Sequence, residues 1–508
     1  MHNHQKERAP TIVNSLTANL ATLFCSVELS RQVAAILLQV VELQRSFGVD
    51  QVEQINAERF NEFEESLANR LRELGRTIVE HTVNHVEVAE PCQAPSKMSI
   101  GSLVYYRKRL RTPRIIGSLF GDITLIRIGY ESKLAPSVFP LELLLGCQSG
   151  VTPALANRIG PMIATLGYRS VLDILKRDFG ISWSMDKLRR GVESVAGMVG
   201  PHRHDAQLNR LLEWLETARR STGSRRPTLS VGRDGVMVPI VGGTWKEAAV
   251  ATISVLDRQG KRLGTVYLGR MPESGQQTLT DQLTHLLTDL LTSRPNDWLP
   301  RLVYVSDDGT HPREYYHNGL RRMHDPKHPT RRLEWIRVVD FFHACEYISK
   351  IADELFDTPA EAQAWSRRMR HTLKHTANGI RCVLNSAAAL ASRREMGPMS
   401  QDRYQKARRY LTKRTQYMQY RDCRDLKIPI GSGITEAGCK RVFTQRFKQS
   451  GMTWHIDSGQ WILDLRLALV SGVWHDTFHR YLDSQANTIT PHIRQVIAST
   501  RAPIPIAA

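Results

Sequence analysis

The stretch TLSVGRDGVMVPI, from Thr228 to Ile240, opens a part of the chain that differs in composition from the helical pattern before it. Its Val, Ile and Thr residues favour a β-strand. Two similar runs follow at Ala248 to Leu256 and Arg262 to Leu268, with turn residues between them. The sequence therefore predicts three adjacent strands joined as a meander.

Helices and strands alternate after this meander. An amphipathic helical pattern covers Gln276 to Leu291, and a short apolar strand pattern follows at Leu302 to Val305. A further helix is predicted from Pro312 to Met323, and a fifth strand from Trp335 to Val339. The order β-β-β-α-β-α-β is that of the ribonuclease-H-like fold. The predicted fold class is therefore an α/β core of that type.

A basic helical insertion is predicted to split this core. The residues after the fifth strand show no strand pattern as far as Arg424 and contain several pairs of adjacent arginines. A new helix is then predicted near Gly433, and it carries Glu436. We expect a catalytic domain formed by residues 221–345 and 426–480, with the insertion at residues 346–425.

The chain before residue 221 is predicted to be mainly helical. Residues 1–95 show amphipathic helices, suited to dimerisation or DNA binding. Residues 96–220 contain a hairpin about Gly121-Asp122 and a helix-turn-helix pattern whose second helix carries Lys187, Arg189 and Arg190. A plain helical hairpin explains that pattern as well as a DNA-binding unit does. Residues 481–508 are predicted to form a loose tail.

Composition indicates the kind of partner. Lys and Arg number 69 against 50 Asp and Glu, which gives a formal charge of +19 and a pI near 9.8. A polyanion such as double-stranded DNA is the simplest cause. The apolar runs are too short to cross a bilayer, so no membrane partner is expected. Seven scattered cysteines without a CxxC pair indicate a reducing compartment and argue against a structural zinc site.

Three carboxylates are candidates for holding metal ions. Cutting a phosphodiester with two ions about 3.5–4 Å apart requires oxygen ligands that converge, and strand ends suit such ligands. Asp234 has neighbouring glycines that could leave room for metal or for DNA backbone. Asp307 and Asp308 follow the fourth strand, and only one of them should face the metals because side chains alternate along a strand. We favour Asp308, which repeats the Asp-Gly arrangement of Asp234, although Asp-Gly is also a common turn pair.

Glu436 is the third candidate. It lies in the first turn of the predicted helix, where Ser432 could cap the backbone and where a glutamate often only satisfies the helix dipole. Cations able to hold a phosphate backbone follow on the same helix, which favours the functional interpretation. They are Lys440, Arg441, Arg446 and Lys448.

These segments resemble a known family, the bacterial insertion-sequence transposases of the DDE class, in particular the Kra group. The segment GSGITEAGCKRVFTQRFKQSGMTW (Gly431 to Trp454) is similar to that group's glutamate-bearing segment nearly throughout. VVDFFHACEYI (Val338 to Ile348) resembles its Asp-x-x-His element through Asp340 and His343. Asp234-Gly235 and Asp308-Gly309 match its first and second acidic positions. The residues after Asp308 depart from the family's aromatic-rich stretch, which leaves Asp307 open as the substitute. The resemblance covers about residues 110 to 480.

The resemblance implies an activity and its cofactors. It implies cleavage at transposon ends and transfer of the freed 3′-hydroxyl into target DNA, with two Mg²⁺ ions, or Mn²⁺ in their place, bound by Asp234, Asp308 and Glu436. We expect a homodimer or higher oligomer on DNA, acting in the bacterial cytoplasm at the nucleoid. His343 either orients Asp340 or contacts DNA, or it belongs to a helix cap. A structure-directed nuclease on the same fold and a non-catalytic DNA-binding regulator are the alternative functions.

Overall fold

A computed structural model describes residues 14, 16–21, 26–48, 55–88, 90–147, 149–295 and 298–488. The described residues form two compact units, with Val199–Thr477 as the second unit and the residues on either side as the first. Parts of the predicted N-terminal region (1–95), and residues 489–508 of the predicted tail (481–508), lie outside the described residues. The predicted tail began at residue 481, whereas a helix in fact continues to Thr488.

The first unit combines helices with a four-stranded antiparallel sheet. The sheet has the order β1-β2-β3-β4, and its central hairpin is longer than the predicted one. In the first half of β3 the buried Ile123 and Leu125 alternate with more exposed residues, so one face of the sheet is covered there. The strands are β1 (Lys97–Ile100), β2 (Leu103–Ser118), β3 (Gly121–Ser132) and β4 (Ala135–Val138). The helices are α1 (Val27–Gly48), α2 (Ala57–Asn84), α3 (Pro140–Leu145), α4 (Pro153–Thr165), α5 (Tyr168–Phe179) and α6 (Met185–Val199).

Two of these helices form the predicted helix-turn-helix pattern. Helix α5 ends at Gly180, whose φ of +67° belongs to the left-handed region that glycine tolerates. Ser184 then caps α6 by accepting a hydrogen bond from the backbone N–H of Lys187 at 3.2 Å. The ammonium of Lys187 lies 3.5 Å from Asp122 Oδ2 and 4.7 Å from the centre of the Trp183 ring. Protein contacts therefore occupy Lys187 in part, whereas Arg189 and Arg190 are exposed.

The second unit is built on a mixed five-stranded sheet. Its strand order is β11-β8-β5-β6-β7, with β5, β6 and β7 antiparallel and with β8 and β11 added in parallel. The order of elements predicted from the sequence is present, with one addition, a small hairpin of β9 and β10 before the last strand. The strands are β5 (Thr228–Ile240), β6 (Thr244–Leu256), β7 (Arg262–Arg270), β8 (Arg301–Ser306), β9 (His324–Asp325), β10 (His328–Arg332) and β11 (Trp335–Val339).

Helices cover both faces of this sheet. Alternation along β8 sends Leu302 and Tyr304 into one core and Val303 and Val305 into the other. The first core contains leucines of α7 (Arg203–Arg220) and α8 (Gln277–Ser293). The second core is formed with the insertion, which is helical and begins at Phe341, five residues before its predicted boundary. A strand buried on both faces explains why β8 is an unbroken apolar run.

The remaining helices follow β8 in chain order. They are α9 (Thr310–Asn318), α10 (Phe341–Leu355), α11 (Pro359–His375), α12 (Gly379–Ala391), α13 (Pro398–Thr412), α14 (Tyr420–Asp425), α15 (Gly433–Cys439), α16 (Gln445–Phe447), α17 (Ile456–Val470) and α18 (Trp474–Thr488), with a π-helical turn at Lys440–Thr444.

The part of the chain that the structure describes contains no helix with both the length and the apolar character needed to cross a membrane.

Gly264 on β7 allows α7 to pack closely on the sheet. A Cβ at this position would lie 2.2 Å from Cζ2 of the Trp214 indole. We expect Gly264→Ala to lower the free energy of unfolding by about 1–3 kcal/mol, because the indole has to shift. Urea unfolding of both proteins measures the change. Gly200→Ala is the control, since a Cβ there meets nothing within 4 Å, and an equal loss in both variants would contradict the packing argument.

Candidate functional site

The pairing of β5 with β8 decides which acidic side chains share a face. The two strands are parallel, and Gly232 is the partner of Val305. This is the last pair of the two strands, and continuing its register by two residues would place Asp234 level with Asp307, which directly follows β8. Partner residues in parallel strands point to the same face, and the next residue points to the opposite one. The register therefore groups Asp307 with Asp234 and directs Asp308 away from them.

The carboxylate of Asp234 is largely buried and lies near two other negative charges. Its carboxylate accepts hydrogen bonds from the backbone N–H of Gly235 at 2.7 Å and from the thiol of Cys439 at 3.5 Å. Burial, together with the negative charges of Asp307 and Glu436, raises the pKa of Asp234 to about 6, against the lowering effect of the hydrogen bonds from Gly235 and Cys439. The three carboxylates are thus close enough to interact electrostatically.

Close packing against β5 positions the helix that carries Glu436. A Cβ on Gly232 would lie 2.0 Å from Oγ1 of Thr435, and that hydroxyl lies 2.9 Å from the hydroxyl of Thr252 on β6. A Cβ on Gly235 would lie 2.5 Å from the carboxylate of Glu247. The expectation that these glycines leave room for metal or DNA is therefore corrected, because protein atoms fill the space beside both. Gly232 serves instead to seat α15 on the sheet.

Ser432 connects two acidic residues rather than capping α15 with its side chain. Its backbone carbonyl accepts from the N–H groups of Thr435 and Glu436. Its hydroxyl lies 2.8 Å from Asp340 Oδ2 and 2.7 Å from Glu436 Oε1, and it donates to one of them at a time. The backbone N–H of Ser432 also donates to Asp340. The predicted side-chain cap is corrected, and Ser432 holds Glu436 relative to the end of β11.

Asp340 is the cap of helix α10. Its Oδ1 accepts a hydrogen bond from the backbone N–H of His343 at 2.6 Å, so the Asp-x-x-His spacing belongs to a helix cap. The imidazole of His343 lies edge-on to the rings of Tyr347 and Tyr410, and its Nδ1 is 3.4 Å from Glu346. Of the alternatives for His343, the geometry favours the helix cap over orientation of Asp340 by the imidazole.

Asp308 is neutralised by two arginines. It is 5% exposed and forms ion pairs with Arg337 and with Arg414, whose Nε lies 2.5 Å from its Oδ2. Its φ of +68° turns the chain away from the strand direction. Asp308 was favoured as the second metal-binding carboxylate, and this preference is corrected. Asp307, the alternative, lies close enough to Asp234 for its charge to raise the pKa of that carboxyl.

The charges around the three grouped carboxylates differ from those around Asp308. Within the described ranges, no Lys, Arg or His lies within 4 Å of the carboxylate oxygens of Asp234, Asp307 or Glu436. The three carboxylates are too far apart to bind one ion together. Among the described residues, the one group of three or more potential ligands whose atoms all lie within 4.8 Å of one another is elsewhere in the fold. A site for two ions about 3.5–4 Å apart does not require all three carboxylates to converge on one point, since the outer ligands then bind different ions. An uncompensated set of oxygen ligands fits Mg²⁺ or Mn²⁺.

The predicted DNA-binding cations after Glu436 fall into two groups. Lys440, Arg441 and Lys448 are exposed. Arg446 is fully buried, with its guanidinium 5.1 Å from the centre of the Trp454 ring. Its assignment to a DNA surface is corrected, because a side chain without exposed area cannot meet a phosphate.

Residues from distant parts of the chain complete the site. Cys439 lies beside Asp234, and the hydroxyl of Tyr410 donates to the backbone carbonyl of Asp307 at 2.9 Å. Burial and the nearby Asp234 raise the pKa of the Cys439 thiol, so the thiol keeps its proton. No local motif marks these residues. For Asp307 alone a signal could have been used: the parallel register of β5 and β8, which favours Asp307 over Asp308 as the neighbour of Asp234.

No protein-family model matches the chain, and no curated protein matches it in sequence. The resemblance to insertion-sequence transposases therefore stays a prediction.

Removing the charge of Asp308 should destabilise the second unit. We expect Asp308→Asn to lower the free energy of unfolding by about 3–5 kcal/mol, because Arg337 is left buried without its counter-ion. Asparagine tolerates positive φ, so the substitution tests the charge rather than the backbone. Chemical denaturation measures the loss. Asp402→Asn, which removes an exposed pair with Lys406, is the matched control and should have no measurable effect.

Removing the charge of Asp234 should have the opposite effect. Its pKa is about 6 in the folded chain, against about 3.9 when unfolded, so the folded state holds an extra proton between these values. Stability therefore falls as pH rises through that window. In EDTA at pH 7.5, Asp234→Asn should be more stable than the wild type by on the order of 2 kcal/mol.

Denaturant unfolding at pH 4 and pH 7.5 provides the measurement. The advantage of Asp234→Asn should shrink at pH 4, where the wild-type carboxyl is protonated in the folded state. A variant less stable than the wild type at pH 7.5 without metal would contradict the assignment of Asp234 to an uncompensated cluster.

Proposed function

We propose that this chain is a DDE-type DNA transposase with a ribonuclease-H-like core. The observation that carries the proposal is the set of three carboxylates without cationic partners, Asp234, Asp307 and Glu436. Asp234 lies in β5, Asp307 directly follows the strand that pairs with β5 in parallel, and Glu436 lies on a helix seated against β5. A buried carboxyl whose pKa is raised beside other carboxylates, as for Asp234, is typical of catalytic sites.

The sheet topology supports the fold assignment. Three antiparallel strands in sequence are followed by two that pair in parallel on the other side of the first strand. A helical insertion separates the last strand from the glutamate helix. This arrangement agrees with the order of elements that led to the ribonuclease-H-like prediction.

The carboxylates would hold two Mg²⁺ ions, or Mn²⁺ in their place. When bound, such ions activate the attacking oxygen and stabilise the leaving oxygen of the phosphodiester. Asp234 interacts electrostatically with both Asp307 and Glu436, so it would hold metal together with each of them. Ser432 and Asp340 orient Glu436, and the protonated thiol of Cys439 donates to Asp234 and holds its orientation.

The basic surface would bind double-stranded DNA, both transposon ends and target. The formal charge of +19 supplies the attraction, and Arg189, Arg190, Lys440, Arg441 and Lys448 are exposed to take part. Assembly as a homodimer or higher oligomer on DNA, in the bacterial cytoplasm at the nucleoid, belongs to the same proposal.

Cleavage and joining of DNA test this function directly. The donor is a supercoiled plasmid that carries the coding region with its flanking DNA, and the target is a second, labelled plasmid. The wild type with Mg²⁺ should nick the donor at defined positions and join its 3′ ends to the target. Asp234→Asn, Asp307→Asn and Glu436→Gln should each lose more than about 100-fold in rate, beyond the usual effect of an outer-shell residue.

Controls separate the competing functions. Asp402→Asn should keep wild-type rates, and all three site variants should still retain DNA in a gel-shift assay. Cleavage without joining would support a nuclease on the same fold, and DNA binding without cleavage would support a regulator. Full strand transfer by Asp307→Asn would overturn the role given to Asp307.

A further inference from the structure

A second group of potential metal ligands lies away from the carboxylates. His204 is the second residue of α7, and His285 and Asp289 are one turn apart on the neighbouring helix α8. Their ligand atoms all lie within 4.8 Å of one another. Asp289 Oδ2 is 2.7 Å from His204 Nε2 and 3.2 Å from His285 Nε2, and the two imidazole rings are stacked at 4.6 Å.

The spacing of these atoms is close to that of a metal site. Tetrahedral ligands about 2.0–2.1 Å from an ion lie about 3.3 Å from one another. The distance from His285 Nε2 to the carboxylate already has this value, and the one from His204 needs to open by roughly half an ångström. His285 and Asp289 share one helix, so the adjustment falls mainly on His204, whose ligand nitrogen lies within 4.8 Å of that of His285.

We propose that His204, His285 and Asp289 bind one Zn²⁺ ion or a similar first-row transition metal. Two imidazoles and one carboxylate suit Zn²⁺, Cu²⁺, Ni²⁺ and Co²⁺, whereas Mg²⁺ prefers an all-oxygen shell. Cysteine spacing, which argues against structural zinc in this chain, does not bear on a site of this composition. The site is separate in chemistry and residues from the carboxylates assigned to phosphodiester cleavage.

The surroundings indicate how tightly the ion binds. The side chains of His204, His285 and Asp289 are 29%, 69% and 34% exposed, so an ion reaches them from solvent and keeps at least one water ligand. In the part of the chain that the structure describes, neither imidazole has a further hydrogen-bond partner that would orient it. Outer-shell partners contribute about 10–100-fold in metal affinity. We therefore expect micromolar binding rather than the far tighter binding of a structural zinc site.

A bound ion would connect the beginning of α7 to the middle of α8. Both helices pack on the same face of the sheet through their leucines. Any ligand that binds only the folded state adds to its stability by mass action. The metal should therefore raise the temperature at which the second unit unfolds.

Zn²⁺ itself is the probe. The full-length protein, stripped of metal with EDTA and exchanged into buffer, competes for Zn²⁺ with a chromophoric chelator, and its unfolding temperature is measured with and without the ion. The wild type should bind one equivalent more than His285→Ala and Asp289→Asn, or bind that equivalent at least tenfold more tightly. Its unfolding temperature should rise with Zn²⁺, and this rise should be lost in both variants.

Two matched variants identify the source of the signal. His371 and His375 form another stacked pair one turn apart on α11. His375→Ala therefore controls for zinc that a histidine pair on one helix binds by itself. This variant should bind zinc like the wild type in the competition assay. Asp234→Asn should also keep the site, which makes the result independent of cleavage activity. Equal zinc binding by the wild type and His285→Ala would overturn the proposal, as would loss of the equivalent in His375→Ala instead.

Discussion

The parallel pairing of β5 with β8 is the constraint on which the candidate site depends. Because Gly232 is level with Val305, Asp234 and Asp307 emerge side by side on one face, and Asp308 is forced to the other. A slip of one residue would exchange the roles of the two neighbouring aspartates. The buried alternation of β8 prevents such a slip, since its odd and even residues belong to different cores.

Adjacent aspartates therefore have opposite electrostatic functions. Asp308 is buried between two arginines, and its charge is compensated within the protein. Asp307 and Glu436 both lie near Asp234, and their charges contribute to the raised pKa of Asp234. A fold gains nothing in stability from three uncompensated carboxylates. The metal ions proposed above would supply the positive charge that the protein does not place beside them.

Much of the fold could be predicted from local patterns, and much less of the site. The strand at Thr228–Ile240 and the helix carrying Glu436 follow from β-propensity and from the glycine-serine segment before the helix. Asp308 was favoured because its Asp-Gly pair repeats that of Asp234, a local likeness that ignores the partner strand. The contacts of Arg414 and the burial of Arg446 depend on residues far away in the chain. A single sequence contains no local signal for such contacts.

The helical insertion is part of the site rather than an appendage to it. Tyr410, near the end of α13, donates to the backbone carbonyl of Asp307, and Arg414 just beyond that helix pairs with Asp308. Arg337 of β11 holds the same aspartate, with Tyr417 of the insertion 4.2 Å from its guanidinium. The turn at Asp307-Asp308 is thus held by the sheet on one side and by the insertion on the other. The backbone that carries the Asp307 carboxylate therefore depends on the insertion as well as on the sheet.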